Sequence, residues 1–158
     1  MIEKIVRWSS NLTAFALGAL VLLIVYDALM RYLFSAGSTA LQELEWHLFD
    51  VVILLSIAYT MRLGAHVRVD ILYEKFPPRL RHWIDIVSIL FFILPFSLLI
   101  VYIGFGFVEV SFLQNEASSD PGGLPYRWVV KSLIVVAFLL LFLESLRLLV
   151  QKISELGR

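Results

Sequence analysis

Cysteine is absent from this chain of 158 residues. Its absence excludes disulfide bridges, thiolate metal sites, iron–sulfur clusters and cysteine nucleophiles, and it leaves the cellular compartment open. Charge is also scarce, because Asp, Glu, Lys and Arg together make up only 16% of the residues. Soluble domains carry about a quarter charged residues. With 60% hydrophobic residues and a mean hydropathy of +0.87, the composition is that of a protein that resides in lipid.

Several kinds of functional site are missing as well. The formal net charge is zero, so no overall basicity favours a nucleic acid as a partner. The sequence has no phosphate-binding glycine loop, no nucleophile with its base and no catalytic carboxylate pair in the apolar core, so we do not expect an enzyme. Glu43 and His47 are four residues apart, but a zinc-protease helix needs two histidines at that spacing. We therefore expect no metal, haem or other cofactor in this chain.

Four apolar segments stand out from this background. A helix needs about 20 mostly apolar residues to cross a membrane, and the segments lie at about 12–34, 43–63, 84–113 and 126–150. The first is longer than the apolar core of a signal peptide, which favours an uncleaved helix. The second carries several polar residues in its first two turns, so its hydropathy alone is also compatible with a helix lying at the membrane surface.

The basic residues favour four spans. Lysine and arginine in short loops are retained on the cytoplasmic side of a membrane. Four crossings would place ten of the thirteen basic residues on the side of both termini, leaving Arg31, Arg127 and Lys131 on the other. The sequence therefore predicts an all-α integral membrane protein, a single domain over residues 1–158. Its four transmembrane helices would form an up-down bundle with cytoplasmic N- and C-termini.

Two charges interrupt the first apolar segment. Asp27 and Arg31 stand four residues apart with the acidic residue first, which is the spacing of an ion pair on one helix face. Charge inside a membrane span needs a partner. The pair either stays internal to the helix or reaches across to another subunit.

A polar stripe opens the second segment. Its members follow helical spacing over two turns: Glu43, Trp46, His47 and Asp50. We expect the stripe to face protein rather than lipid. Glu109, Arg127 and Lys131 fall at the same outer level and would complete a network with it, unless most of these side chains are hydrated anchors at the membrane surface.

The middle of the third and fourth segments carries few polar groups. Only Pro95, Gly104 and Gly106 interrupt the third, and a proline kink or a close helix contact accounts for them. A transporter of ionic solutes usually has broken helices and polar groups at the membrane midplane. The chain is therefore better suited to be the partner of a transporter. An autonomous four-helix, proton-coupled exporter is the alternative, with Asp27 as its carboxylate, although the neighbouring Arg31 argues against it.

The order and positions of several short motifs resemble those of a known protein family. The residues concerned are Arg31-Tyr32-Leu33-Phe34, Glu43-Leu44-Glu45, Arg62 with His66-Val67-Arg68-Val69-Asp70, and Pro125-Tyr126-Arg127-Trp128. This arrangement resembles the small membrane subunit, the Q or DctQ-like subunit, of tripartite ATP-independent periplasmic (TRAP) transporters, over nearly the whole chain. One departure is Gly64-Ala65, where many members of the family have two glycines.

The resemblance implies a division of labour in a bacterial inner membrane. A periplasmic binding protein would capture an organic anion, usually a carboxylate, with a sulfonate as the alternative. It would deliver the anion to a large membrane subunit, which moves it together with sodium by an elevator motion. The small subunit would be a static scaffold for the large one. Sodium and substrate are expected in the partners, so the sequence does not name the substrate.

The matched and neighbouring residues receive roles from this resemblance and from their positions. Candidates for subunit contacts are Asp27, Arg31, Glu43, Glu45, His47, Asp50, Glu109 and Lys131. The cytoplasmic family motif is Arg62, His66, Arg68 and Asp70, with Asp70 able to cap a short helix from Ile71 to Phe76. Lys75, Arg79 and Arg81 suit anionic lipid headgroups. The loop from Gln114 to Tyr126 is a further candidate for contact with the binding protein.

Overall fold

The computed structural model describes residues 2–63 and 75–156, and these are almost entirely helical. Helix α1 spans Ile2–Phe34, α2 spans Thr39–Arg62 and α3 spans Pro78–Ser88. A π-helical segment, Ile89–Ile93, connects α3 directly to α4, Leu94–Leu113. Helix α5 spans Arg127–Leu156. Of the short helix expected from Ile71 to Phe76, residues 71–74 lie outside the described part of the chain, and Lys75 and Phe76 lie in a turn before α3.

Within residues 2–63 and 75–156, four helical stretches are long and apolar enough to cross a membrane, as the sequence predicted. They are Lys4–Phe34, Thr39–Arg62, Pro78–Leu113 and Arg127–Glu155. Each is longer than the apolar segment that marks it. Polar residues at the helix ends, such as Thr39 and the last residues of α5, form helical backbone hydrogen bonds. They do not raise the hydropathy, so the apolar pattern does not include them. The second segment is thus helical through its polar first turns.

The helix contacts follow an order different from the order along the chain. Helix α1 packs on α2, α2 packs on α5, and α5 packs on α4. Among the described residues, α1 touches α5 only slightly and shares no substantial contact with α4. Helix α5 therefore joins the α1–α2 pair to the third span, and large parts of α1 and α4 remain without a helical neighbour.

The buried core lies where these elements meet. Met61, Ile89, Leu94 and Leu141 form a cluster contributed by α2, the π-helical segment, α4 and α5. Partly buried apolar side chains such as Phe138 surround it. Many large apolar side chains are exposed on the helices, as is normal where lipid or another membrane chain provides the surroundings.

Pro95 explains the π-helical segment. A proline inside a helix removes one backbone donor, and its ring clashes with the carbonyl four residues earlier, here that of Phe91. The wider turn just before Pro95 lets the Leu94 amide donate to the Ile89 carbonyl, five residues back. The third span thus continues as one helix through the proline, with a local change in its winding.

Gly104 marks the closest approach between α4 and α5. A Cβ atom placed on Gly104 would lie 2.9 Å from Val135 Cγ2. The valine is β-branched and cannot move aside easily. Gly106, two residues away, would meet nothing within 4 Å. Of the two explanations offered by the sequence, a close helix contact therefore applies to Gly104 and not to Gly106.

These two glycines give a matched pair of variants. We expect Gly104→Ala to lower the free energy of unfolding by about 1–3 kcal/mol, because the added methyl group overpacks the contact with Val135. Gly106→Ala should be neutral or stabilising by up to about 1 kcal/mol, because alanine is the better helix former. Thermal unfolding in detergent, followed by tryptophan fluorescence, measures both. Equal melting temperatures for the two variants would contradict the close contact.

Candidate functional site

Glu43 is the centre of a polar cluster between α2, α5 and the loop that precedes α5. Its side chain is nearly buried. Carboxylate oxygen Oε2 accepts a 2.6 Å hydrogen bond from the Leu124 amide, and Oε1 accepts a 3.2 Å bond from Arg127 Nη2. The Ser118 hydroxyl also donates to Oε1. Three donors from residues 118–127 thus converge on one carboxylate of α2, which is how a buried charge becomes tolerable.

The loop at 114–126 is folded around this carboxylate. The Ser118 amide donates to the Leu124 carbonyl at 3.0 Å, and the Gly123 amide donates to the Asp120 carbonyl at 3.0 Å. Gly122 has a φ of 81°, a conformation that glycine adopts without strain. A Cβ at Gly123 would lie 2.9 Å from Glu43 Oε2 and closer still to Ser118. Gly122 and Gly123 therefore let the loop backbone lie against Glu43.

A second ion pair fixes the other end of the loop. Lys131 of α5 forms a salt bridge with Glu116, and its ammonium nitrogen lies 4.0 Å from the centroid of the Phe107 ring. The Lys131 hydrogen bond is the main cause that holds the pKa of Glu116 below its usual value. The Glu116 carbonyl also accepts a 3.0 Å bond from the Arg127 amide. Both ends of the loop are thereby tied to the first turns of α5.

The charges of α1 pair with each other. Arg31 Nη2 donates to Asp27 Oδ2 within the helix. Asp27 is fully buried, whereas the Arg31 side chain is 46% exposed. Of the two alternatives that the spacing left open, the internal ion pair is present. The exposed part of the guanidinium still has donors to offer to another molecule.

Four of the candidate residues form no hydrogen bond or ion pair within the described part of the chain: Glu45, His47, Asp50 and Glu109. Glu109 is exposed on α4. The polar stripe predicted for α2 does not act as one surface, because Glu43 faces α5 and the loop while Trp46 is exposed beside α1. Helical spacing placed these residues correctly along the helix but could not say which neighbour each one meets.

Another set of ion pairs joins the helices at the opposite end. Lys152 of α5 donates a 2.7 Å bond to Asp85 of α3, and His82 lies 3.3 Å from Glu155. Farther into α5, Arg147 pairs with the fully buried Glu144 at 2.6 Å. Sequence reasoning did not select these residues. The Glu144–Arg147 pair had a visible signal in its three-residue spacing, whereas Asp85 and Lys152 are too far apart in sequence to be matched by pattern.

The basic residues assigned to lipid headgroups lie near this second end. Lys75 and Arg79 are exposed, and Arg81 donates through Nε to the Phe76 carbonyl at 2.8 Å. Arg62 is the last residue of α2. The rest of the cytoplasmic family motif, His66, Arg68 and Asp70, lies outside the described residues. Residues 2–63 and 75–156 hold no group of three His, Asp or Glu side chains arranged for a metal ion.

The fold and the polar clusters define a class of protein. Four membrane-length helices with paired charges toward their ends are those of a multi-pass membrane protein. Comparison with family models makes this specific. The model for the DctQ component of tripartite ATP-independent periplasmic transporters matches residues 20–155, and the chain belongs to this family. The resemblance seen in the sequence is thereby confirmed. No curated protein matches the chain.

The Glu43 cluster can be tested by loosening it. We expect Glu43→Ala to speed amide hydrogen exchange across residues 114–126, because the Leu124 amide loses its buried acceptor. Such a loss costs about 1–3 kcal/mol, which is about a 5- to 150-fold change in an opening equilibrium. Glu109→Ala is the matched control, since Glu109 forms no hydrogen bond or ion pair with any residue in the described ranges. Unchanged exchange in Glu43→Ala would show that the loop does not depend on the carboxylate.

Proposed function

We propose that this small TRAP subunit acts as a fixed scaffold for the large membrane subunit of its transporter. The complex would take up an organic anion, a carboxylate or a sulfonate, from a periplasmic binding protein with sodium as the coupling ion. Membership of the DctQ family is the observation that carries the proposal. The sodium and substrate sites would lie in the partner chains, and the bacterial inner membrane would be the location.

The internal pairing of charges supports a scaffold rather than a transport path. Glu43, Asp27 and Glu144 each have a cationic partner within this chain. A paired carboxylate is poorly placed to exchange protons or cations during a transport cycle. The same observation weighs against the proton-coupled exporter, because Asp27 is buried and bound to Arg31 rather than facing an accessible cavity.

The open arrangement of the helices supports a role as a wall. Helix α5 is the link between the α1–α2 pair and α4, so this chain has broad exposed apolar surfaces instead of a closed interior. Membrane helices associate through close packing and interhelical hydrogen bonds. A large partner packing on one such surface would be held against a support in which Asp27, Glu43 and Glu144 already have cationic partners.

The unpaired candidates are the best residues for polar contact with the large subunit. Glu109 is an exposed carboxylate in a membrane-spanning helix, and a charge there is stabilised by an opposite charge from another chain. His47 and Asp50 are half-buried candidates on α2. The loop at 114–126, tied down by Glu43 and Lys131, would offer a preformed surface to the binding protein.

Membrane orientation is a separate part of the proposal. Ten of the thirteen basic residues lie toward the side of both termini if four spans cross, which predicts cytoplasmic termini. The chain has no cysteine, so single-cysteine variants carry no background. We expect Ser119→Cys to react with a membrane-impermeant maleimide in intact cells, and Ser154→Cys to react only after the membrane is opened. Both residues are exposed. Labelling of both from the same side would show that α5 does not cross the membrane and would refute the four-span arrangement.

Co-purification tests the scaffold role. We expect the tagged chain, extracted in mild detergent, to recover a large membrane subunit, and Glu109→Lys to reduce that recovery about tenfold, as loss of one charge-assisted contact would. Asp120→Lys is the control, because it makes the same charge change on an exposed loop residue outside the membrane span. Recovery of the wild-type chain alone, with drug-dependent proton movement in liposomes, would support the exporter instead. Equal recovery with Glu109→Lys would remove that residue from the interface.

A further inference from the structure

A groove between α1 and α2 contains a carboxylate with no partner. Leu20 and Ile24 of α1 line one side, and Glu45, Trp46 and Phe49 of α2 line the other, around a volume of about 310 Å³. Glu45 Oε1 is inaccessible to solvent and accepts no hydrogen bond from the described residues. A buried carboxylate oxygen without a donor is strongly unfavourable. Glu45 as a whole is half-buried and lines the groove, so its carboxylate can be reached by a positively charged donor that enters there.

The lining indicates what kind of cation fits. The side chains of Trp46 and Phe49 are aromatic, and aromatic faces attract ammonium groups. An ammonium group has three hydrogen-bond donors and no acceptor, which matches a carboxylate oxygen that lacks a donor. Leu20 and Ile24 make the α1 side of the groove apolar, so the occupant needs a hydrocarbon portion next to its charge.

The position along α2 places the carboxylate near a membrane surface. Glu45 lies six residues after Thr39, or about 9 Å along the helix axis. Helix α2 has 24 residues and is about 36 Å long, slightly more than the hydrocarbon core of about 30 Å. Side chains lean toward the N-terminus of their helix, so the Glu45 carboxylate is directed outward, to the level of the lipid headgroups.

Arg31 supplies the opposite charge on the same side of α1. It follows Ile24 by seven residues, so the two share a helix face, and its guanidinium is half exposed although it is bonded to Asp27. Only residues 35–38 separate α1 from α2, which brings the end of one beside the start of the other. Arg31 does not itself line the groove, so it would act on the part of a headgroup that lies outside it.

From these features we infer that the α1–α2 groove binds an aminophospholipid of the membrane. Its ammonium group donates a hydrogen bond to Glu45 and lies near Trp46 and Phe49. Its phosphate is attracted by Arg31, and an acyl chain lies along Leu20 and Ile24. This goes beyond the scaffold role, because it assigns Glu45 to a lipid ligand and not to the large subunit.

Native mass spectrometry of the full chain, with any membrane partner that stays bound, tests the inference. The protein is released from nanodiscs that contain equal amounts of phosphatidylethanolamine and phosphatidylglycerol, and the bound lipids are identified. We expect phosphatidylethanolamine to predominate. Glu45→Gln should reduce its excess about tenfold, as the loss of one charge-assisted hydrogen bond would. Equal retention of the two lipids, or an excess unchanged in Glu45→Gln, would overturn the proposal.

Matched variants separate this site from general lipid adhesion. Glu45 accepts no hydrogen bond and forms no ion pair among residues 2–63 and 75–156, so Glu45→Gln should not lower the melting temperature of the delipidated protein in detergent. Asp50→Asn removes a carboxylate from a different face of α2 and should keep the phosphatidylethanolamine excess. In nanodiscs with phosphatidylcholine, binding should be weaker, because a trimethylammonium group cannot donate a hydrogen bond. Equal retention of phosphatidylcholine would overturn the bond to Glu45.

The same experiment distinguishes the lipid from a basic side chain of the large subunit. If Glu45→Gln lowers recovery of the large subunit and leaves the bound lipids unchanged, the carboxylate serves a protein contact and the lipid site is overturned. If the scaffold proposal were wrong, the wild-type chain would recover no large subunit in co-purification. Its preference for phosphatidylethanolamine would remain.

Discussion

The carboxylate of Glu43 holds one end of this structure together. Helix α2, the loop at 114–126 and the first turn of α5 meet there, and each of the last two sends a donor to the same side chain. Without an acceptor at this position, the Leu124 amide and the Arg127 guanidinium would lie beside the apolar surfaces of two membrane helices. Helices α2 and α5 join the two halves of the chain. Their apolar contact is supplemented by the hydrogen bonds to Glu43, near the end of both helices.

The same physical requirement explains the distribution of the other charges. Hydrocarbon provides no water to stabilise an ion, so ion pairs form within one helix, as in Asp27–Arg31, or between helices near their ends, as in Asp85–Lys152. The apolar cluster around Leu94 and Leu141 occupies the region where α2, α4 and α5 meet. A membrane protein with this plan keeps many of its electrostatic interactions internal, whereas Glu109 is exposed to other molecules.

The sequence was sufficient for features that depend on local composition. Apolar runs of about twenty residues identify three of the spans, and the distribution of basic residues favours the second one. The four-residue spacing of Asp27 and Arg31 is that of the internal ion pair, which the structure contains. Features that depend on contacts distant in sequence could not be predicted in this way. Glu43 was recognised as a polar residue in a span, but its partners Ser118 and Leu124 lie more than seventy residues away. The contact of α2 with α5 likewise depends on side-chain packing, to which hydropathy is insensitive.

The π-helical segment before Pro95 also sets the rotational phase of the third span. Each residue of an α-helix advances the side-chain direction by about 100°, so one extra residue in a turn rotates everything before it relative to everything after it. Asp85 precedes the segment and faces Lys152, whereas Gly104 follows it and faces Val135. Both partners belong to α5. The wide turn therefore lets one long helix direct both Asp85 and Gly104 toward α5. In an uninterrupted α-helix of this sequence, these two residues would point in different directions around the helix axis.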